Sequence, residues 1–269
     1  MEPYEIVKGG GTEDIVALRA ECLASLTSPP DGMWQAFRAA AVVWTVRHQK
    51  KTIGYALVDE AQQLLQFYIQ PLHLPDRLII FSHLLEEAEV KAGIVGTHQP
   101  VFYSTALHFV QHLQVHTYLF RERLPKTVIP KAGKLKEVAK DELAQMVAFC
   151  HYSVGAPESW LQSYLGDLIG KRELFCLRLD GKIAGTCEVR KSEAAPDFAD
   201  IGMIISPDFR RQGYGTYLLS SAKGIALQQG LQPICSCEKG NVGSLRAIET
   251  NGFRTTHSLL AVNFTTQIK

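Results

Sequence analysis

The sequence has no charge of either sign to spare: 28 Lys and Arg stand against 27 Asp and Glu, a formal charge of +1 over 269 residues. A protein that binds nucleic acid by neutralising many phosphates carries a basic excess, so that class is set aside. A small-molecule substrate or a protein partner is expected instead. No uninterrupted apolar stretch approaches the ~20 residues of a membrane span, so no membrane role is expected. The opening Met1-Glu2-Pro3-Tyr4-Glu5 has neither the basic nor the apolar region of a secretory signal, and a cytoplasmic location follows as the expectation. Six cysteines stand within apolar segments, and Cys235-Ser236-Cys237 is too tightly spaced for a zinc knuckle and has no second pair. They read as reduced thiols. His108 and His112 have i,i+4 spacing but no acidic or cysteine ligand at a fixed offset, so no metal is expected.

What is present is an ordinary globular composition, 46% hydrophobic and 20% charged. At ~150 residues per domain the length allows one large domain or two small ones. The character changes at residues 121–134, RERLPKTVIPKAGK, where two prolines, a glycine and five basic residues interrupt any apolar period. This reads as a connector, dividing the chain into 1–125 and 133–269.

The two parts share an order of elements. In the second, helical spacing covers 136–152 and 157–169, with Pro157 at a helix start. Strands at 174–179 and 183–189 are joined by Asp180-Gly181, a hairpin signal. A strand at 199–206, a helix at 216–229, a strand at 231–237, a short helix at 244–251 and a strand at 258–264 complete it. The first part gives a helix at 12–26 capped by Thr12, a hairpin of 42–46 and 52–58, and a strand at 64–69 ending at Pro71. It continues with a helix at 77–92, a strand at 101–104, a short helix at 107–113 and a strand at 115–120. Gly54 answers Gly185, and Pro71 answers Pro207. Two mixed α/β units related by duplication fit this rhythm.

The segment 201–216, IGMIISPDFRRQGYGT, runs from an apolar strand through a Pro-marked turn into a helix. Two glycines at a helix entrance let successive backbone N–H groups converge without Cβ obstruction, and the helix dipole stands behind them. Such a concavity suits a pyrophosphate, with Arg210 and Arg211 adding charge at its rim. An ordinary strand–turn–helix connection would use the same spacing. No Gly-Lys-Ser/Thr follows, which excludes an ATPase-type phosphate loop, and the third glycine and later acidic residue of a dinucleotide fingerprint are missing.

Arg210-x-x-Gly213-x-Gly215, following a strand and Ser206-Pro207, resembles the acyl-CoA pyrophosphate loop of the GNAT superfamily of N-acetyltransferases. Asn241-x-x-Ser244 followed by Asn251-Gly252-Phe253 is similar to that family's segment after its fifth strand. The resemblance covers residues ~135–265 by motif, and the first part by fold alone. It implies tandem GNAT-like folds of the α/β class, each with a central, mixed, mostly antiparallel sheet flanked by helices. It further implies that acetyl-CoA is the acyl donor and that strands 201–206 and 231–237 splay to admit the pantetheine arm. Backbone groups of Ile204 and Ile205 would then pair with the arm, amides from Gln212 through Gly213, Tyr214 and Gly215 to Thr216 would hold the pyrophosphate, and Asn241 and Ser244 would meet the arm or the CoA phosphates.

The implied reaction is direct acetyl transfer to a primary amine of a small molecule, with a base removing the amine proton. A non-catalytic acyl-CoA-binding module and a protein N-acetyltransferase are the alternatives. Asp200 and Glu188 are the candidate bases. The family's frequent tyrosine seven positions after Asn241 is here Ile248, which has no proton to give; Cys235, Ser236, Cys237, Tyr217 or water are the possible substitutes. Glu158, Trp160 and Tyr164 lie where an acceptor site is roofed in that family, or simply pack a helix on a sheet. In the first part, residues 72–79 stand where the loop should be, without a glycine and with Pro75 removing an amide, so a single CoA per chain is expected.

Overall fold

The structure is a computed structural model that describes residues 3–10, 15–122, 124 and 133–265. Two compact units appear, Met1–Tyr118 with His257–Lys269, and Leu119–Thr256. The division differs from the expected 133–269 block, because the last strand leaves the second half and completes the sheet of the first. Most of the anticipated connector, residue 123 and residues 125–132, lies outside the described residues, as does the expected cap Thr12.

The first unit begins with β1 (Glu5–Lys8), α1 (Val16–Ala24) and α2 (Gly32–Ala39), followed by β2 (Val42–His48), β3 (Lys51–Val58) and β4 (Gln63–Ile69). Then come α3 (Arg77–Glu87), β5 (Ala92–Gly96), α4 (Pro100–Ala106) and β6 (Val110–Glu122), within which the unit boundary falls. Its strands run in the order β1-β2-β3-β4-β5-β12, where β12 is Phe253–Phe264. The expected strand at 101–104 is helical. Pro100 occupies a first-turn position, where its missing N–H costs nothing, and this outweighs the β-propensity of Val101, Phe102 and Tyr103. The strand lies earlier, in the glycine-bearing AGIVG of β5. Sequence periodicity also missed α2, whose start is fixed by Asp31 accepting from the Trp34 amide at 3.1 Å. The core on the α3/α4 face centres on Phe67, Phe81, Phe102 and Phe109, with Phe264 brought in by β12.

The second unit contains β7 (Lys134–Glu137), α5 (Leu143–Val154), α6 (Glu158–Gly170), β8 (Leu174–Leu179) and β9 (Lys182–Lys191). It continues with β10 (Phe198–Ile205), α7 (Tyr214–Gln228), β11 (Gln232–Glu238) and α8 (Val242–Thr250). Strand order is β11-β10-β9-β8-β7. The helix expected over 136–152 starts late, because Lys134–Glu137 pairs antiparallel with β8 as an edge strand. The β8–β9 turn is as read: Asp180 and Gly181 both take positive φ, 48° and 79°, the mirror-image turn that matches strand twist. α5 and α6 cover one face of this sheet through Met146, Cys150, Leu161 and Leu165.

Duplication is visible in the register itself. Gly54 of β3 opposes Ile69 of β4, and Gly185 of β9 opposes Ile205 of β10. In both, a Cβ on the glycine would clash with the backbone carbonyl of the residue preceding that isoleucine, Tyr68 or Ile204.

Candidate active site

β10 and β11 run parallel and are in register only over Phe198↔Gln232, Ala199↔Pro233 and Asp200↔Ile234. Both strands continue, to Ile205 and Glu238, without further pairing to each other, while β10 stays paired with β9 as far as Ile205↔Gly185. The edge of β10 that faces β11 is therefore open from Ile201 onward. Ile204 and Ile205 lie at the wide end of this splay.

Past Ile205 the chain makes a single 3-10 turn, Pro207–Phe209, and enters α7 through Arg211 and Gly213, both with positive φ (58° and 85°). Gly213 is the N-cap of the 15-residue helix and offers no side chain, so no side chain caps the first turn. Its first-turn amides point out of the helix start, the arrangement that attracts an anion. The atoms nearest a Cβ on Gly215 would be the Ile205 and Met203 side chains at 3.6–3.7 Å, so that side of the first turn faces β10. Arg210 turns inward: its guanidinium donates to Ser153 O at 2.7 Å and Ile205 O at 3.3 Å, fastening the loop to α5 and to the end of β10. Gln212 likewise donates to Asp208 O at 3.0 Å. Arg211 is left exposed at the rim.

On the α5/α6 face, cross-strand register places Arg190 opposite Asp200, Glu188 opposite Gly202 and Thr186 opposite Ile204. The Glu188 carboxylate accepts from the Tyr164 hydroxyl at 2.7 Å through Oε2 and pairs with Arg190 Nε at 3.3 Å through Oε1. Oε1 also lies over β10, since a Cβ built on Gly202 would sit 2.7 Å from it. The carboxylate thus occupies the volume that any side chain at 202 would fill, one strand from the splay. Asp200 is 3% exposed, beside strands that are still paired. Burial, then the charge of Glu188, pushes the Tyr164 phenol far up, so it keeps its proton and remains a donor to the carboxylate. Burial and Glu188 also push the Cys150 thiol up to about 12. Trp160 stacks on Tyr164, with ring centroids 4.7 Å apart, and is itself 40% exposed.

α8 closes the far side. Asn241 Oδ1 accepts from Ser244 N at 3.0 Å, capping the helix, which leaves the Asn241 amide nitrogen to point elsewhere. Asn251 is fully buried and donates to Thr216 O at 3.0 Å and Ala247 O at 2.8 Å, tying the first turn of α7 to α8. Lys223 donates to Asn251 O at 3.1 Å and Glu122 at 2.9 Å. Gly252 has a φ of 87° with Leu124 O against its Cα, a place for glycine alone.

A family model described as acetyltransferase (GNAT) domain matches residues 11–123, and one described as acetyltransferase (GNAT) family matches 140–253. The chain belongs to the GNAT acetyltransferases, with two such domains in tandem. A GNAT-family acetyltransferase from Colwellia psychrerythraea is 27% identical, with a TM-score of 0.92 over 97% of this chain and 100% of that one. A tandem GNAT protein from the clavulanic acid biosynthesis pathway is 15% identical, with a TM-score of 0.66 over 99% and 100%. A GCN5-related N-acetyltransferase from Sphaerobacter thermophilus is 13% identical, with a TM-score of 0.69 over 99% and 98%. A comparison with curated proteins gives no match. GNAT domains carry out acyl transfer from acyl-CoA, and the first half, where only a likeness of fold was read, matches a GNAT model of its own.

Within this GNAT frame, the geometry gathers Ile204, Ile205 and the 212–216 turn at the splay, and Glu188 with Asp200 on the α5/α6 face. Ile248 is 3% exposed and packs in the core of the unit. Among the suggested proton donors, burial pushes the Cys237 thiol up to about 11, with Glu249 and Glu238 adding to the rise. His108 and His112 fall on different elements, a 3-10 turn and β6. Gly202, Arg190 and Asn251 were not singled out as site residues. Gly202 could have been, because a lone glycine inside an apolar strand signals a close approach by another group. No helix among the described residues is long and apolar enough to cross a membrane.

Proposed function

We propose that the second GNAT unit transfers the acetyl group of acetyl-CoA directly to a primary amine of a small molecule, with Glu188 as the base. The carboxylate lying over Gly202 carries this reading. Acyl-CoA supplies an activated thioester whose leaving group is a thiolate. Amides from Gln212 to Thr216 hold the phosphates, and the open edge of β10 at Ile204 and Ile205 offers backbone groups to the pantetheine arm. Asn241 and Ser244 flank that arm from α8.

Glu188 accepts the proton of the attacking amine through Oε1, while Tyr164 keeps Oε2 fixed. Asp200, buried beside the apex of the splay, acts behind Glu188. Ile248 provides no acid, so the thiolate leaves without a side-chain proton and is protonated by water. The exposed face of the Trp160–Tyr164 stack suits a small ammonium or its neutral amine arriving from the α5/α6 side.

Glu188→Gln keeps the shape and removes the base. Turnover of an amine panel, followed by free-thiol release, is expected to fall ~100-fold or more with CoA affinity unchanged, and the loss should narrow at high pH, where the amine is already neutral. Full activity in this variant refutes the assignment. CoA binding without turnover in the native protein gives the second reading, a binding module, which Ile248 favours.

A further inference from the structure

The sheet of the first unit has a hollow on one face. On the α3/α4 side, Leu64 of β4, Val95 of β5 and Val262 of β12 are packed into the core, and a Cβ on Gly93 would stand 3.0 Å from the Phe264 ring. Side chains alternate along a strand, so Gln63, Ala92, Ile94, Ala261 and Asn263 belong to the opposite face. These five residues line a cleft of about 540 Å³, with β6 as its far wall, and every lining residue belongs to the first unit. The volume falls within the ~300–1,000 Å³ range of small-molecule sites.

There is room because the floor is made of small residues. Ala92 and Ala261 each put a single carbon into it, and Ile94 supplies its one bulky chain. Around this apolar floor stand Gln63 from β4, Asn263 from β12, and His112, Gln114 and His116 from β6. The side chains of Gln63, Asn263, His112 and Gln114 make no hydrogen bond to another described residue. His116 shares Nδ1 with the Thr117 hydroxyl at 2.7 Å and meets Trp34 edge to face, with ring centroids 5.8 Å apart. Among the described residues, no Asp, Glu, Lys or Arg lines the cleft.

The lining dictates what suits it. An ion entering would give up hydration without meeting a counter-charge, so the ligand is neutral. Side-chain amides and imidazoles each carry both donor and acceptor, as a hydroxyl does, so several hydroxyls on an apolar body match the rim and the floor. The strand order β4-β5-β12-β6 puts Gln63 and the β6 groups three strand spacings apart, about 14 Å at ~4.8 Å each. One sugar ring leaves one of these sides unanswered, and two linked rings reach both.

We infer that the first unit binds a neutral disaccharide in this cleft. Gln63, Asn263, His112, Gln114 and His116 bond its hydroxyls, and its C–H face lies on Ala92, Ile94 and Ala261. The site shares no residue with the α7 entrance or with Glu188, and it stands whether or not the second unit transfers acetyl as proposed.

Calorimetric titration of the full chain with maltose, cellobiose, trehalose and sucrose tests this, with glucose and gluconate as single-ring and charged controls. None of these probes has an amine, so none is an acetyl acceptor. At least one disaccharide should bind saturably, with a dissociation constant of about 1 mM or below, more tightly than glucose and without competition from gluconate. Ala261→Leu, which fills the floor, should abolish binding. His112→Ala and Asn263→Ala, both at exposed positions, should each weaken it about five- to ten-fold, the scale of a lost hydrogen bond, and they still report if Ala261→Leu does not fold. CoA affinity should be unchanged in all three. A native chain that binds none of the disaccharides overturns the inference. So does binding undiminished in the folded variants, which puts the sugar elsewhere, or gluconate binding as tightly as the disaccharide.

Discussion

Adding one methyl at Gly202 should disable the chemistry while leaving the protein folded. The Ala Cβ would stand 2.7 Å from Glu188 Oε1, 3.2 Å from its Cγ and 3.3 Å from its Cδ. Ordinary contact begins near 3.5 Å, so the carboxylate must retreat by roughly 0.7 Å or more. It is tied to Tyr164 at 2.7 Å and to Arg190 at 3.3 Å, and a retreat of that size loosens at least one of these. Loss of a charge-assisted hydrogen bond costs about 1.5–3 kcal/mol, offset by about 0.5–1 kcal/mol from the greater stiffness of Ala in a strand. The net is a fall of a few degrees in melting temperature for a unit of this size. A reacting group misplaced by ~1 Å loses on the order of a hundred-fold in rate, so turnover should drop steeply with CoA affinity intact. Free-thiol release measures the first and calorimetry the second. Because Gly202 acts only through Glu188, the added loss should vanish in a Glu188→Gln background. Full turnover in Gly202→Ala, or an undiminished loss in the double variant, refutes the reasoning.

Gly213→Val puts a β-branched residue at the N-cap of α7, where φ is 85°, and should weaken CoA about ten-fold or more by distorting the loop whose amides face the phosphates; unchanged affinity by calorimetry would remove the anion-nest argument. The native chain should bind a single CoA, because Pro75 and bulky side chains fill the 3-10 segment Pro71–Asp76 that replaces the loop; two equivalent sites in the same titration would show that this segment binds phosphate. His98 should destabilise the protein in acid. Its folded pKa of about 3 lies below its unfolded value of 6.5, so between these limits the unfolded chain takes up a proton that the folded one does not, and stability present above pH 6.5 is lost on descent, up to about 5 kcal/mol. Denaturant melts at pH 7 and pH 4 should show a smaller loss in His98→Phe than in the native chain; equal losses refute the assignment.

Strand and helix periods located most of the second unit, and the 201–216 segment could be read because glycines at a helix entrance constrain the backbone wherever they occur. The site's other half was harder to read. Glu188 was visible as a residue, but its aim depends on strand register, and register depends on which strand ends pair. Gly202 decides that aim by lacking a side chain, a signal that composition and period do not weigh. Arg210 looked like a charge for a ligand and is engaged by two carbonyls, a distinction carried by side-chain direction alone. At 101–104 the residues favour a strand one by one, and the proline in front overrules them together.

The pairing of β12 with β5 bears on how the protein is made. Leu259 opposes Gly96, 163 positions earlier in the chain, and Asn263 opposes Ala92. On a ribosome, residues 92–96 emerge long before their neighbour exists, so the first-synthesised unit must wait with an apolar strand edge bare while the whole second unit is produced. Contacts closing so long a loop form slowly, and a bare edge is where chains aggregate. The unit made earlier is therefore the one that finishes folding later. A chain stalled or clipped before residue 257 would retain the splay and its loop, and it would lose the closing strand of the other unit.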